Sequence, residues 1–161
     1  IGDHLIREIP VNKLVKVKFE VDIDPPPGFE TEVKYLLNPI PFSVRIYNPS
    51  SIFAGKIHAL LYRRWQNRVK GRDWYDLIFF ISKSIPVNLA HLKARMGQSG
   101  KIEWDDELSK QKLIEILKNA IQKTDFAQAK RDVLPFIKNR YKLEVWSTDF
   151  FLSVVEGIEV L

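Results

Sequence analysis

"GKIHALLYRRWQNRVKGRDWYDLIFF", Gly55 to Phe80, is the stretch on which the fold reading turns. Its apolar residues Ile57, Leu60, Leu61 and Trp65 continue a broad face begun by Ile52 and Phe53, which is the spacing of a helix packed on a core. Gly71 is expected to break that helix, since glycine is disfavoured in helix interiors. A second helix is predicted from Arg72 to about Ser82. Lys56 and Arg63 are seven residues apart and share a face after two turns; Arg64 lies near it, and Arg68 is one turn further. Asp73 and Asp76, three apart, share a face of the second helix.

Upstream, "NPSS" (Asn48–Ser51) reads as a helix start, with Pro49, Ser50 and Ser51 suited to the cap and first turn. "FSVRIY", Phe42 to Tyr47, predicts a strand. From Leu14 to Ile23 the chain alternates: Val15, Val17, Phe19, Val21 and Ile23 against Lys16, Lys18, Glu20, Asp22 and Asp24. Period two predicts a half-buried strand, stopped by "DPPPG" at Asp24–Gly28.

Downstream, a weaker helix is predicted over Val87–Met96 and an amphipathic one over Asp105–Lys123, with Leu113, Ile116, Leu117, Ala120 and Ile121 as its stripe. Another begins at Thr124 or Asp125 and ends near Pro135; a last one is capped by Ser147 or Thr148. Strands come first and helices follow. The expected class is α+β, divided into a strand-rich part over 1–50 and a helical part over 51–161.

The 161 residues suit one domain, and 45% hydrophobic with 28% charged residues is ordinary for a globular chain. The absence of cysteine excludes disulfides and thiolate metal sites and fits a reducing cytoplasmic setting. No apolar run approaches the ~20 residues that span a bilayer, so no membrane partner is expected. Charges interrupt "IGDHLIREIP", which is not expected to act as a leader. A net charge of +5 and a pI near 9.4 lean toward phosphate-bearing partners.

Each chemical candidate has a plainer alternative. Glu20, Asp22 and Asp24 on one strand face offer oxygen ligands for a hard divalent cation such as Mg²⁺; Lys16 and Lys18 would otherwise neutralise them on a solvated face. Lys56, near a helix start, suits phosphate oxygens, or it snorkels on a solvated surface. Asp73 reads as an N-cap and Asp76 as an ion-pair partner of Arg72 or Arg64, or both serve a charged pocket. His4, His58 and His91 lack metal-ligand spacing. Trp65, Trp74, Tyr75, Phe79, Phe80, Trp104 and Trp146 read as core.

Taken jointly, "KVKFEVDI" (Lys16–Ile23), "FAGKIHALLYRR" (Phe53–Arg64), "GRDWYDL" (Gly71–Leu77) and "AKRDVLPFI" (Ala129–Ile137), followed by Trp146, resemble the AbiEii/AbiGii family of nucleotidyltransferase-like toxins. The resemblance runs from about Lys13 to Phe151. It implies part of a nucleotidyltransferase-fold sheet joined to a helical bundle, and a role in phage defence by abortive infection or in a toxin–antitoxin pair. It implies transfer of a nucleoside monophosphate from an NTP to an RNA, such as tRNA, or to a protein, with Mg²⁺ as the metal. Glu20 and Asp22 then fall to the metal, Lys56 to the triphosphate, Arg63 or Arg64 to its support, and Asp73 or Asp76 to positioning the nucleotide or the lysine.

One departure stands out. The family pattern opens with a Gly-Ser or Gly-Gly turn and an Asp-x-Asp pair; "DID" at Asp22–Asp24 has the letters of the pair, but no such turn precedes it. The expectation is a truncated chain that is inactive by itself. The alternative is a non-catalytic module binding an antitoxin, another protein or nucleic acid.

Overall fold

The computed structural model describes residue 14 and residues 16–63, 69–103 and 105–161. Two strands, β1 (Thr31–Leu36) and β2 (Phe42–Tyr47), are followed among these residues by six α-helices: α1 (Pro49–Tyr62), α2 (Gly71–Ser82), α3 (Leu89–Gln98), α4 (Lys110–Gln122), α5 (Phe126–Val133) and α6 (Thr148–Glu156). The class is α+β, as the sequence predicts.

The strands form an antiparallel hairpin with Thr31 opposite Tyr47 and Leu36 opposite Phe42. β2 matches the expected strand, but β1 was not foreseen. The strand predicted over Leu14–Ile23 is corrected: residues 16–24 join no ladder, and Val17, Phe19, Val21 and Ile23 are 70%, 88%, 81% and 93% exposed. Alternation creates an apolar face, but a strand also needs a partner for its backbone groups. β1 and β2, joined by a short loop, satisfy each other; Val15 lies outside the described residues.

The helices begin where short polar side chains accept backbone N–H groups. Asn48 accepts from Ser51 N, Asn88 from His91 N, Ser109 from Lys112 N, Asp125 from Gln128 N and Ser147 from Phe150 N. The caps of α5 and α6 match the sequence reading. Helix α4 starts at Lys110 rather than at Asp105, because the acidic run precedes its true cap. Gly71 does not interrupt a helix; it is the first residue of α2, and α1 already ends at Tyr62.

The core lies between the helices. Phe53 of α1 stacks on Phe80 of α2, ring centroids 4.7 Å apart. Phe126 of α5 stacks on Phe151 of α6 at 4.4 Å, and Trp74 and Trp146 set their edges against this pair. Of the aromatics expected inside, Trp74, Phe80 and Trp146 are buried, whereas Phe79 is 47% exposed; Trp65 and Trp104 lie outside the described residues.

A part-buried polar knot fastens the hairpin to the helices. Asn88 Nδ2 donates to Gly28 O at 2.8 Å, Glu30 N–H to Ser51 Oγ at 2.9 Å, and Asn48 N–H to Glu30 O at 3.0 Å. Gly28 has φ +81°, and a Cβ there would stand 3.1 Å from Ala90 C and His91 N, so both conformation and space require glycine. Among the described residues, no buried side-chain nitrogen or oxygen lacks a hydrogen-bond partner. None of the described helices is long and apolar enough to cross a membrane.

Candidate functional site

Packing α1 against α2 turns the charged residues of both toward one cavity of about 530 Å³. That volume falls in the range of small-ligand sites. Its wall carries Lys56 from α1, Arg63 at the end of α1, Lys70 just before α2, and Arg72, Asp73, Tyr75 and Asp76 from the first turns of α2; Val133, Phe136 and Ile137 close it. Among the described residues, four cations thus share a cavity with two carboxylates.

Lys56 Nζ donates to Asp76 Oδ2 at 2.7 Å. Asp76 therefore pairs across the helix interface with Lys56; of the partners its own neighbourhood proposes, Arg72 instead faces the Phe136 ring, and Arg64 lies outside the described residues. The lysine side chain is 47% exposed, so its ammonium reaches the cavity while the pair holds its direction. The Arg72 guanidinium lies 4.8 Å from the centroid of Phe136, a cation–π contact that orients it. Asp73 is not the N-cap; that position belongs to Lys70, and Asp73 lies in the first turn. Burial raises its pKa above the ordinary carboxylate value; Arg63 pulls it down, Asp76 pushes it up, and Lys56 and Lys70 pull it down, with burial the largest influence.

Residues on α5 steady this wall, and the sequence reading missed them. Asp132 Oδ2 accepts from Gly71 N–H at 3.0 Å, and Gln128 Oε1 accepts from Val69 N–H at 2.6 Å. The first bond satisfies a helix-start donor and places a carboxylate at the positive end of α2. The available signal was the i, i+4 spacing of Gln128 and Asp132 on the polar side of α5.

The structure does not bring Glu20 and Asp22 to this wall. Glu20 is exposed and paired with Lys18; Asp22 is exposed and its Oδ1 accepts from Asp24 N–H at 3.1 Å. Arg64 lies outside the described residues, as does His4. Among the described residues no group of three or more His, Asp or Glu side chains is arranged to hold a metal. A Mg²⁺ site needs carboxylate oxygens converging on one point. Glu20 and Asp22 stand on an exposed segment with local partners, and Asp76 is engaged by Lys56, so the described donors do not fit a metal cradle.

A family model described as "Nucleotidyl transferase AbiEii toxin, Type IV TA system" matches residues 4–154. The chain belongs to the AbiEii family. The match takes in the hairpin, the Lys56 helix, the Asp73–Asp76 helix and the start of the last helix. AbiEii membership places the chain among nucleotidyltransferase toxins of type IV toxin–antitoxin systems, whose general requirements are an NTP and a divalent metal. No curated protein and no solved structure matches the chain.

Proposed function

We propose that the α1–α2 cavity receives the phosphates of a nucleoside triphosphate, and that the AbiEii protein transfers the nucleoside monophosphate to a hydroxyl of RNA or protein. The observation that carries this reading is the joint presence of Lys56, Arg63, Lys70 and Arg72 around one 530 Å³ cavity. Phosphate oxygens are strong acceptors, and charge-assisted bonds from lysine and arginine are their best partners. Lys56 is the phosphate contact and Asp76 its positioning residue. Arg63 and Arg72 add fork-shaped donors, and Arg64 is kept as a further donor on its sequence position. Asp73, with its raised proton affinity, is suited to accept the acceptor's proton. In the transfer, the acceptor oxygen bonds to the α-phosphorus, the bond from that phosphorus to the bridging oxygen breaks, and pyrophosphate leaves.

Nucleotide titration by calorimetry tests the phosphate reading. A triphosphate should bind more tightly than the corresponding monophosphate, and the nucleoside should bind weakest. Equal affinity for nucleoside and triphosphate would overturn it. Incubating the protein with α-labelled NTP and separate RNA and protein acceptors tests the transfer.

One observation favours a second reading, a non-catalytic module that binds an antitoxin, another protein or nucleic acid. Val33, Tyr35, Leu36, Leu37, Ile40 and Phe42 of the hairpin are 45–77% exposed, an apolar surface of the kind partners cover. On that reading nucleotide binding is absent, so the same titration separates the two.

A further inference from the structure

A second cavity, of about 310 Å³, lies beside the first on α1, between that helix and the end of α3. Its wall includes His58, Tyr62, Arg63, Arg95, Ser99 and Lys101 and, among the described residues, no carboxylate. Arg63 lines both cavities. The nucleotide cavity has a lysine held by a carboxylate; here Arg95 and Lys101 are held by neutral groups. Arg95 Nε donates to His91 Nε2 at 3.0 Å, and the Lys101 ammonium stands 5.6 Å from the centroid of Tyr62. Elsewhere Lys18, Lys34, Lys56, Lys112 and Lys118 each meet an acid. Neutral partners fix a cation's position without cancelling its charge, so the cavity keeps its attraction for an anion.

The arrangement is built from below. His91 is 1% exposed, and its Nδ1 meets Pro27 O at 2.9 Å. A guanidinium only donates, so His91 Nε2 is the acceptor and Nδ1–H donates to Pro27. This fixed ring aims Arg95 across Gly55, where an added Cβ would lie 3.6–3.8 Å from three guanidine atoms. Ser99 Oγ donates to Arg95 O at 2.9 Å or Met96 O at 3.1 Å, and so accepts from His58 Nε2–H at 2.9 Å. The other nitrogen of His58, Nδ1, carries the lone pair of the neutral ring.

We infer that the cavity formed by His58, Arg95 and Lys101 is a second anion site that takes a phosphate group, separate from the nucleotide cavity. The phosphate belongs either to a free small anion or to a phosphodiester strand; the chemistry of recognition is the same. Two cations, joined by the His58 ring once its Nδ1 takes up a proton, match the acceptor oxygens and double negative charge of a phosphate. The site also has a signature. Burial lowers the pKa of His58, and the surrounding charges Arg95, Lys101, Arg63 and His91 lower it further; Tyr62 is the other titratable group against it. A bound phosphate supplies the missing negative charge, so His58 gains proton affinity as the site fills.

The test is histidine NMR on the 161-residue chain, with the His58 signal assigned through His58→Asn. Sulfate, which keeps its charge between pH 5 and 8, inorganic phosphate and a short single-stranded oligonucleotide serve as probes. The expected result is a raised His58 pKa with at least one probe and an affinity roughly tenfold lower in Lys101→Ala. A response to the small anions identifies a free phosphate ligand, and a response to the oligonucleotide alone identifies a strand. An unmoved His58 with all three, or unchanged affinity in both Lys101→Ala and Arg95→Gln, overturns the inference. Lys101 is exposed and its ammonium faces the half-buried ring of Tyr62, so Lys101→Ala remains usable if Arg95→Gln unfolds. NTP affinity at the Lys56 cavity is read separately in Lys101→Ala and should hold, which keeps the two sites' outcomes apart.

Discussion

The helical body and the segment over residues 16–24 contain similar proportions of apolar side chains, yet one is folded around them and the other displays them. Phe53, Leu92, Leu113, Leu117 and Phe151 are 0% exposed, while Phe19 and Ile23 are 88% and 93% exposed. The difference is in what surrounds each residue. Every helix in the body has an apolar stripe facing another stripe, and five of them have a side-chain cap at the start. The segment has a pattern without a facing surface or ladder among the described residues. For function, this puts the organised charges on α1 and α2 and leaves Glu20 and Asp22 on the display side.

The sharpest way to break that comparison is Phe151→Ala. It removes a fully buried ring touching Phe126, Trp74, Trp146 and Phe150, and should cost about 3–5 kcal/mol in urea denaturation. A loss under about 1 kcal/mol would show the aromatic cluster to be loosely packed. Next comes Gly71→Ala. Its Cβ would come within 2.0 Å of Ala129 O, so α2 and α5 must separate, at about 1–3 kcal/mol and with the cavity wall disturbed.

A third test uses pH. Burial lowers the pKa of His91 in the fold below its ordinary 6.5. The unfolded chain therefore takes up the proton first, and stability should be full above about pH 6.5 and decline as the pH falls below it. Melting temperatures from pH 8 to 5 check this, and His91→Leu should flatten the slope. The smallest effect is expected on the display side: Val17→Ser and Phe19→Ser should change stability by no more than about 0.5 kcal/mol. A larger loss in either would mean that the segment packs after all.

Much of the helical body is legible in the sequence because its signals are local. Asp125 and Ser147 each precede an apolar stripe, and both cap helices as read. "FSVRIY" reads as a strand and is one. The failures are those of non-local choice. "TEVKYL" becomes β1 because β2 follows within reach, whereas "KVKFEVDI" has the cleaner alternation and no ladder. The acids over 105–107 imitate a helix start, but Ser109 supplies the cap. At the site, Lys56 and the Asp73–Asp76 pair stand out by spacing, yet the bond from Lys56 to Asp76 depends on how two helices pack, and the bracing by Gln128 and Asp132 on where α5 lies. Neither follows from spacing alone.

The most direct measurement of the central claim is a side-by-side NTP titration of the unaltered chain, Lys56→Ala and Glu20→Ala, without added metal. The account predicts that Lys56→Ala loses roughly tenfold or more in affinity, as expected when a charge-assisted phosphate contact is removed, and that Glu20→Ala matches the unaltered chain. Undiminished binding in Lys56→Ala, or a loss confined to Glu20→Ala, would contradict it.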